Sequence, residues 1–286
     1  MPKAPYRLFM PDARTTSVIF ASPHSGRTYP ESLMRQTVLD ERAIRSSEDA
    51  FVDILFDSAP SVGAPLLAAT APRAFVDLNR ASEELDPALI DGVRRNAHNP
   101  RVTSGLGVVP RVVANGRAIY RGKITLDEAR GRIRDVWRPY HAALQGLLDE
   151  AFLQFGEAIL IDCHSMPHEA IESIGTPASR RPDVVLGDRF GAAAGLEVVD
   201  RIEAAFVGAG LTVVRNAPFA GAYVTQHYGR PARRQHAVQI EIDRALYMDE
   251  RAISPSADFP AFKRLMDEIV VDLVSLGAAD MPLAAE

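Results

Sequence analysis

The feature that most constrains this chain is a repeated pattern in which a short apolar run stops abruptly at residues able to bind or react. Residues 17–21 run into Ser22-Pro23-His24-Ser25-Gly26, residues 74–78 into Asn79-Arg80, and residues 158–161 into Asp162-Cys163-His164-Ser165. Apolar runs of roughly four to eight residues bounded by turn-forming residues read as buried strands. Residues 65–69, 183–186, 212–214 and 237–242 read the same way, and one further strand is expected within 105–113. Between these runs lie segments of helical period. The clearest spans 125–155, where Thr125 and Glu128 form a capping box. Ile133, Val136, Tyr140, Leu144, Leu147 and Ala151 then recur at three- or four-residue spacing. Pro139 is expected to kink or interrupt that helix. Other helices are expected from Ser46 or Ser47 through Leu55, over 195–208 and over 259–276, with most of 81–122 left as loop. Strands alternating with helices predict an α/β layered fold. In open α/β sheets, ligands bind beyond the carboxyl ends of the strands. With no repeat and no linker, residues 1–286 are expected to form a single domain.

Charge and cysteine usage narrow the partners. A formal net charge of −5 argues against a general nucleic-acid binder, which needs a basic face. It leaves room for a local basic pocket around an anionic small molecule. The lone Cys163 cannot form an intrachain disulfide and fits a reducing compartment. No run reaches the ~20 apolar residues of a membrane helix, and residues 1–16 lack an apolar segment of signal-peptide length. The expectation is a cytoplasmic protein with no membrane segment, no nucleic acid and no protein partner indicated.

Two of the histidines stand apart from the rest. His24 and His164 each follow an apolar strand directly, where a rigid element can hold a ligand still. A catalytic zinc takes three protein ligands and leaves one position for water. Two histidines and one carboxylate are a familiar set; of the nearest carboxylates, Asp40, Glu41, Glu48 and Asp49, spacing and helix-start context favour Glu48 or Asp49. No H-E-x-x-H and no C-x-x-C is present to prove a metal locally. Glu241 shares a strand face with Gln239 and Asp243, opposite Val238, Ile240 and Ile242. It reads either as a general base or as the partner of Arg244 or Arg230 in a salt bridge. Other chemistries are weaker. Ser25 lacks a G-x-S-x-G elbow, Gly105-Leu106-Gly107 lacks the third glycine of a dinucleotide loop, and Cys163 reads as a core thiol.

Six segments, in order, resemble the N-formylglutamate amidohydrolase family. They are Ser22-Pro-His-Ser-Gly-Arg-Thr-Tyr-Pro30, Ser47-Glu-Asp-Ala-Phe-Val-Asp53, Phe75-Val-Asp-Leu-Asn-Arg80 and Ile161-Asp-Cys-His-Ser-Met-Pro167, followed by residues 221–231 and 239–249. Through Asp77-Leu78-Asn79-Arg80 and Asp162-Cys163-His164-Ser165 the family is similar in turn to zinc carboxypeptidases. Those enzymes carry a glutamate ligand three residues after the first histidine, where this chain has Arg27. The resemblance implies a three-layer α/β/α fold with a mixed central sheet. It implies zinc on His24, His164 and a carboxylate, with Asp49 nearer the family's position than Glu48. It also implies Glu241 as the base, and Asn79-Arg80, then Arg230 and Arg244, as the clamp for the substrate carboxylates. The reaction implied is hydrolysis of N-formyl-L-glutamate to formate and glutamate, a step of histidine degradation. A related amidase for another N-acyl amino acid or small peptide, and a binding protein that has lost catalysis, are the competing readings.

Overall fold

The computed structural model describes residues 4–94, 99–113, 116–172 and 181–278; His98 lies outside them. Seven strands form one mixed sheet: β1 (Tyr6–Phe9), β2 (Val18–Ser22), β3 (Leu66–Ala69), β4 (Ala158–Met166), β5 (Val184–Gly187), β6 (Val213–Arg215) and β7 (Gln235–Asp243), in the order β1-β3-β2-β4-β7-β5-β6. Strands β3, β2, β4 and β7 are parallel neighbours, so their carboxyl ends open on one side of the sheet. The flanks reverse. β1 pairs antiparallel with β3, and β5 antiparallel with β7.

Alternate residues of the central strands feed two cores. Phe20, Ile161, Cys163, Val238, Ile240 and Ile242 pack beneath helices from the second half of the chain, together with Val199, Ile202, Phe206, Met266 and Ile269. On the opposite face Ile19, Ala21, Leu67, Leu160 and Ala237 pack with Tyr140, Leu144, Leu147 and Ala151. Among the helices are α1 (Leu126–Arg132), α2 (Arg138–Phe155), α3 (Leu196–Gly208), α4 (Tyr223–Tyr228) and α5 (Phe259–Ser275). The expected three-layer arrangement is the observed one. None of the described helices is long and apolar enough to cross a membrane.

Three local expectations are corrected. Residues 74–78 form no strand. Phe75 and Val76 donate their backbone N–H groups to Pro72, and Asp77 donates to Val108. The apolar run marked burial correctly, but Ala74, Val76 and Leu78 pack with Leu89, Ile90, Val108 and Val109 of the loop that follows. Residues 105–113 contribute buried valines to the same core and only an isolated bridge, Val112 to Ala118. The helix expected through 46–55 is broken. A 3₁₀ turn ends at Ser47, Glu48 is extended, Phe51 is left-handed at φ 67°, and only Val52–Leu55 is helical. The expected interruption at Pro139 is present just ahead of it, the proline itself falling in the first turn of α2. The preceding Ile133–Trp137 is π-helical. A proline ring clashes with the carbonyl four residues back, here Asp135, and the wider winding makes room for it.

Candidate active site

The face that carries Leu160 and Ala237 at mid-sheet turns polar toward the strand ends. Along β4 it continues as Asp162 and His164, and along β7 as Gln239 and Glu241. The parallel register sets Asp162 beside Gln239 and His164 beside Glu241. Just beyond β2, His24 joins them, and its backbone carbonyl accepts a hydrogen bond from the Asp49 N–H at 3.0 Å. That bond explains why the chain leaves helical geometry at Glu48. The detour aims Asp49 at the histidines.

His24, Asp49 and His164 are all buried, and one donor atom from each lies within 4.8 Å of the others. The oxygen Asp49 Oδ2 is 2.9 Å from His164 Nδ1 and 3.4 Å from His24 Nδ1. On the far side of each ring a second carboxylate waits. His24 Nε2 is 2.8 Å from Asp77 Oδ1, and His164 Nε2 is 3.1 Å from Asp162 Oδ2. Carboxylates placed there hold a ligating histidine in one tautomer and turn the other nitrogen toward a metal. His24 Nδ1 has no hydrogen-bond partner despite its burial, which is costly for a polar atom unless something occupies the space before it. Two histidines and a carboxylate match the donor set of a catalytic divalent-metal site, so the residues present fit such an ion. Asp49 and Asp77 are both held well below the usual carboxylate range. Burial opposes this in each; the hydrogen bond to His164 and the nearby His24 ring overcome it for Asp49, and Arg73 with His24 for Asp77. Glu48 points elsewhere, accepting hydrogen bonds from the Tyr29 hydroxyl and Arg45.

Among the described residues Glu241 makes no salt bridge. Its Oε1 accepts a 2.7 Å hydrogen bond from Gln239 Nε2. Burial pushes its carboxyl up to about 7, with His164 pulling it down and Asp49 pushing it further up. Gln239 is itself fixed, its Oε1 accepting from Asn79 Nδ2 at 3.3 Å and from the Ala222 N–H at 3.2 Å. Asn79 Oδ1 in turn accepts from the Val224 N–H at the start of α4.

These groups line a cavity of about 570 Å³ together with Arg73, Arg80, Arg101 and Arg244. Arg73 Nε donates to Asp77 Oδ2 at 2.9 Å. Burial weakens its charge, but Asp77, with Asp49 and Glu241 nearby, more than restores it. Arg244 donates to Asp49 Oδ1 at 3.0 Å and to the Ser165 hydroxyl at 3.1 Å. Arg230 is not in the cavity lining; its Nη1 donates to the Gln226 and Gly229 carbonyls at an exposed position. Sequence reasoning missed Arg73, Asp77, Asp162 and Gln239 as site residues. Three of them carried a signal, because Asp162 and Gln239 sit two residues from His164 and Glu241 on the same strand faces, and Asp77 lies two before Asn79. Arg73 carried none.

Comparison with known proteins agrees with this geometry. A family model described as N-formylglutamate amidohydrolase matches residues 16–248. The N-formylglutamate deformylase of Pseudomonas aeruginosa is 32% identical over 265 residues, covering 91% of this chain and 93% of that protein. That of Pseudomonas putida is 31% identical over 236 residues, 82% of each chain. The crystal structure of an N-formylglutamate amidohydrolase from Ralstonia eutropha is 35% identical, superposes with a TM-score of 0.89, and is covered over 98% of its length by 96% of this chain. With this span matched in order and the histidine–carboxylate cluster in place, the chain belongs to the N-formylglutamate amidohydrolase family.

Proposed function

We propose that this cavity hydrolyses N-formyl-L-glutamate to formate and L-glutamate, with a zinc ion held by His24, Asp49 and His164, in cytoplasmic histidine degradation. The observation that carries the reading is the juxtaposition of that cluster with an unpaired carboxyl, Glu241, inside an arginine-lined cavity. Bound there, the ion supplies Lewis-acid activation of water and of the amide carbonyl. The chain's own groups account for the remaining steps. Glu241 removes a proton from the attacking water as its oxygen bonds to the formyl carbon. Gln239 holds the carboxylate in place for this transfer. The carbonyl oxygen gains negative charge, which Arg73 offsets from its fixed position on Asp77. Glu241 then gives the proton to the amide nitrogen as the carbon–nitrogen bond breaks, because nitrogen leaves far more readily as an amine than as an anion. A carboxyl that ionises near neutral pH suits both transfers. Arg80 and Asn79 bind a substrate carboxylate, guanidinium forks being matched to that planar group. Arg244 adds positive charge beside Asp49.

Formate release from matched N-formyl and N-acetyl amino acids tests the reading. N-formyl-L-glutamate is expected to be the best substrate and acetyl analogues poor ones. Preference for an acetyl or peptide amide would move the chain to a related amidase, and no hydrolysis of any of them would reject catalysis here.

A further inference from the structure

The arginines lining the cavity are unequally compensated. Arg73 has Asp77 at 2.9 Å, and Arg244 has Asp49 at 3.0 Å. Neither Arg80 nor Arg101 has a carboxylate within ion-pair distance among the described residues. Arg80 is only 6% exposed, and its hydrogen bonds go to two neutral carbonyls, Leu106 and Asn79. Burial weakens its hold on its proton; Asp77 opposes that, while Arg73 and Arg101 add to it. A buried guanidinium with no carboxylate at ion-pair distance is costly unless a ligand supplies the anion.

Arg101 stands at the rim, exposed, with no side-chain hydrogen bond among the described residues. Its backbone is nonetheless firmly held. Asn99 Oδ1 caps the turn at the Arg101 and Val102 N–H groups, and Asn99 Nδ2 donates to Glu84 at 3.3 Å. The Arg101 carbonyl accepts from the Leu106 N–H at 2.8 Å, and the Leu106 carbonyl accepts from Arg80 Nε at 2.9 Å. One residue therefore couples the segments that carry the two uncompensated charges.

We propose that Arg80 and Arg101 form a paired subsite for a dicarboxylate, with Arg101 taking the side-chain carboxylate of an N-formyl acidic amino acid. This rests on the hydrolase reading above and deepens it. The α-carboxylate lies two bonds from the scissile nitrogen, so it must bind near the reacting centre. Arg80 adjoins Asn79, whose amide nitrogen is 3.2 Å from His164 Nε2. The side-chain carboxylate reaches further out, toward the rim. Arg101 is thus a specificity-determining residue, separating acidic from neutral substrates of the same shape.

The test compares kcat/KM for N-formyl-L-glutamate and its neutral near-isostere N-formyl-L-glutamine in wild type, Arg101→Gln and Arg101→Lys. Arg101→Gln should lower the value for N-formylglutamate by about 10- to 100-fold, mostly through KM, as for loss of one charged hydrogen-bonded contact. The value for N-formylglutamine should fall far less, so the discrimination ratio shrinks. Arg101→Lys should recover part of the ratio. Equal losses on both substrates, or an unchanged ratio, would overturn the assignment of Arg101 while leaving the hydrolase reading intact. Failure of the wild type to release formate from either substrate would remove that reading and this inference with it.

Discussion

Glu241 and His164 are neighbours in the sheet register, yet they face different tasks. His164 is braced on both ring nitrogens, by Asp49 and Asp162, whereas Glu241 has one hydrogen bond and no ion pair among the described residues. Replacing Glu241 by Gln keeps the size and removes the base, so kcat should fall about 10²- to 10⁴-fold. Metal content, read by elemental analysis, should stay at the wild-type level, and loss of metal would place Glu241 among the ligands instead. Arg80→Lys keeps the charge and loses the fork. Transition-state stabilisation for N-formylglutamate should drop by about 2–4 kcal/mol, and an unchanged kcat/KM would exclude Arg80 from the clamp. At this scale the sequence was legible where strand alternation places side chains. Glu241 follows from period two, and the same rule carried through β4 and β7 reaches Asp162 and Gln239, which were missed. Asp49 over Glu48 does not, because the choice depends on a backbone hydrogen bond to His24 that no local pattern announces. Arg230 misled for the same reason, since a charge in a matching segment says nothing about where its fork points.

Among elements, buried strands were the easiest to read, since the sheet places them where apolar runs are longest. β4 proved longer than its apolar run, because ladder pairing with β7 carries the strand on through Asp162, Cys163 and His164. β1 was missed, being an edge strand with three of its four residues exposed. The broken segment over 45–55 and the turn over 72–78 were misread because local periodicity cannot see tertiary contacts. Both carry site residues. The loop that holds His24 makes a further prediction. Gly26 packs so closely that an added Cβ would sit 2.0 Å from the Ala71 carbonyl oxygen. Gly26→Ala must push the loop away from the segment after β3, at a cost of about 1–3 kcal/mol or more. Urea unfolding should register that loss, and the displaced His24 should weaken metal retention during dialysis. Wild-type stability with undiminished metal content would show that the loop is free to move.

For the molecule as a whole, acid stability depends on a histidine outside the reaction. His141 is buried in α2, with Nε2 3.0 Å from the Leu78 carbonyl and Nδ1 2.8 Å from the Tyr228 hydroxyl. Burial lowers its pKa to about 3, although the Leu78 carbonyl favours the charged ring. The unfolded chain takes up this proton near pH 6.5, whereas the folded chain does so only near 3. Between those values the unfolded state binds more protons, so stability falls with falling pH by about 1.4 kcal/mol per unit from this group. Urea unfolding should show a loss of about 2 kcal/mol from this group between pH 7 and pH 5. His141→Gln should flatten that slope while lowering stability at pH 7, and an unaltered slope would assign the acid sensitivity elsewhere. The layered fold itself was legible because alternating strand and helix periods leave few architectures open. The long loop over the cavity was legible as a loop, but the burial of its valines was not, since they serve one core without any repeat. The proposed hydrolysis of N-formylglutamate depends on a zinc ion held by His24, Asp49 and His164. The most direct test is formate release from N-formyl-L-glutamate by chelator-stripped protein titrated with zinc, alongside His164→Ala. Stripped wild type should be inactive and regain turnover up to about one equivalent of zinc, with His164→Ala failing to recover. Full turnover by the stripped protein, or by His164→Ala, would contradict the account.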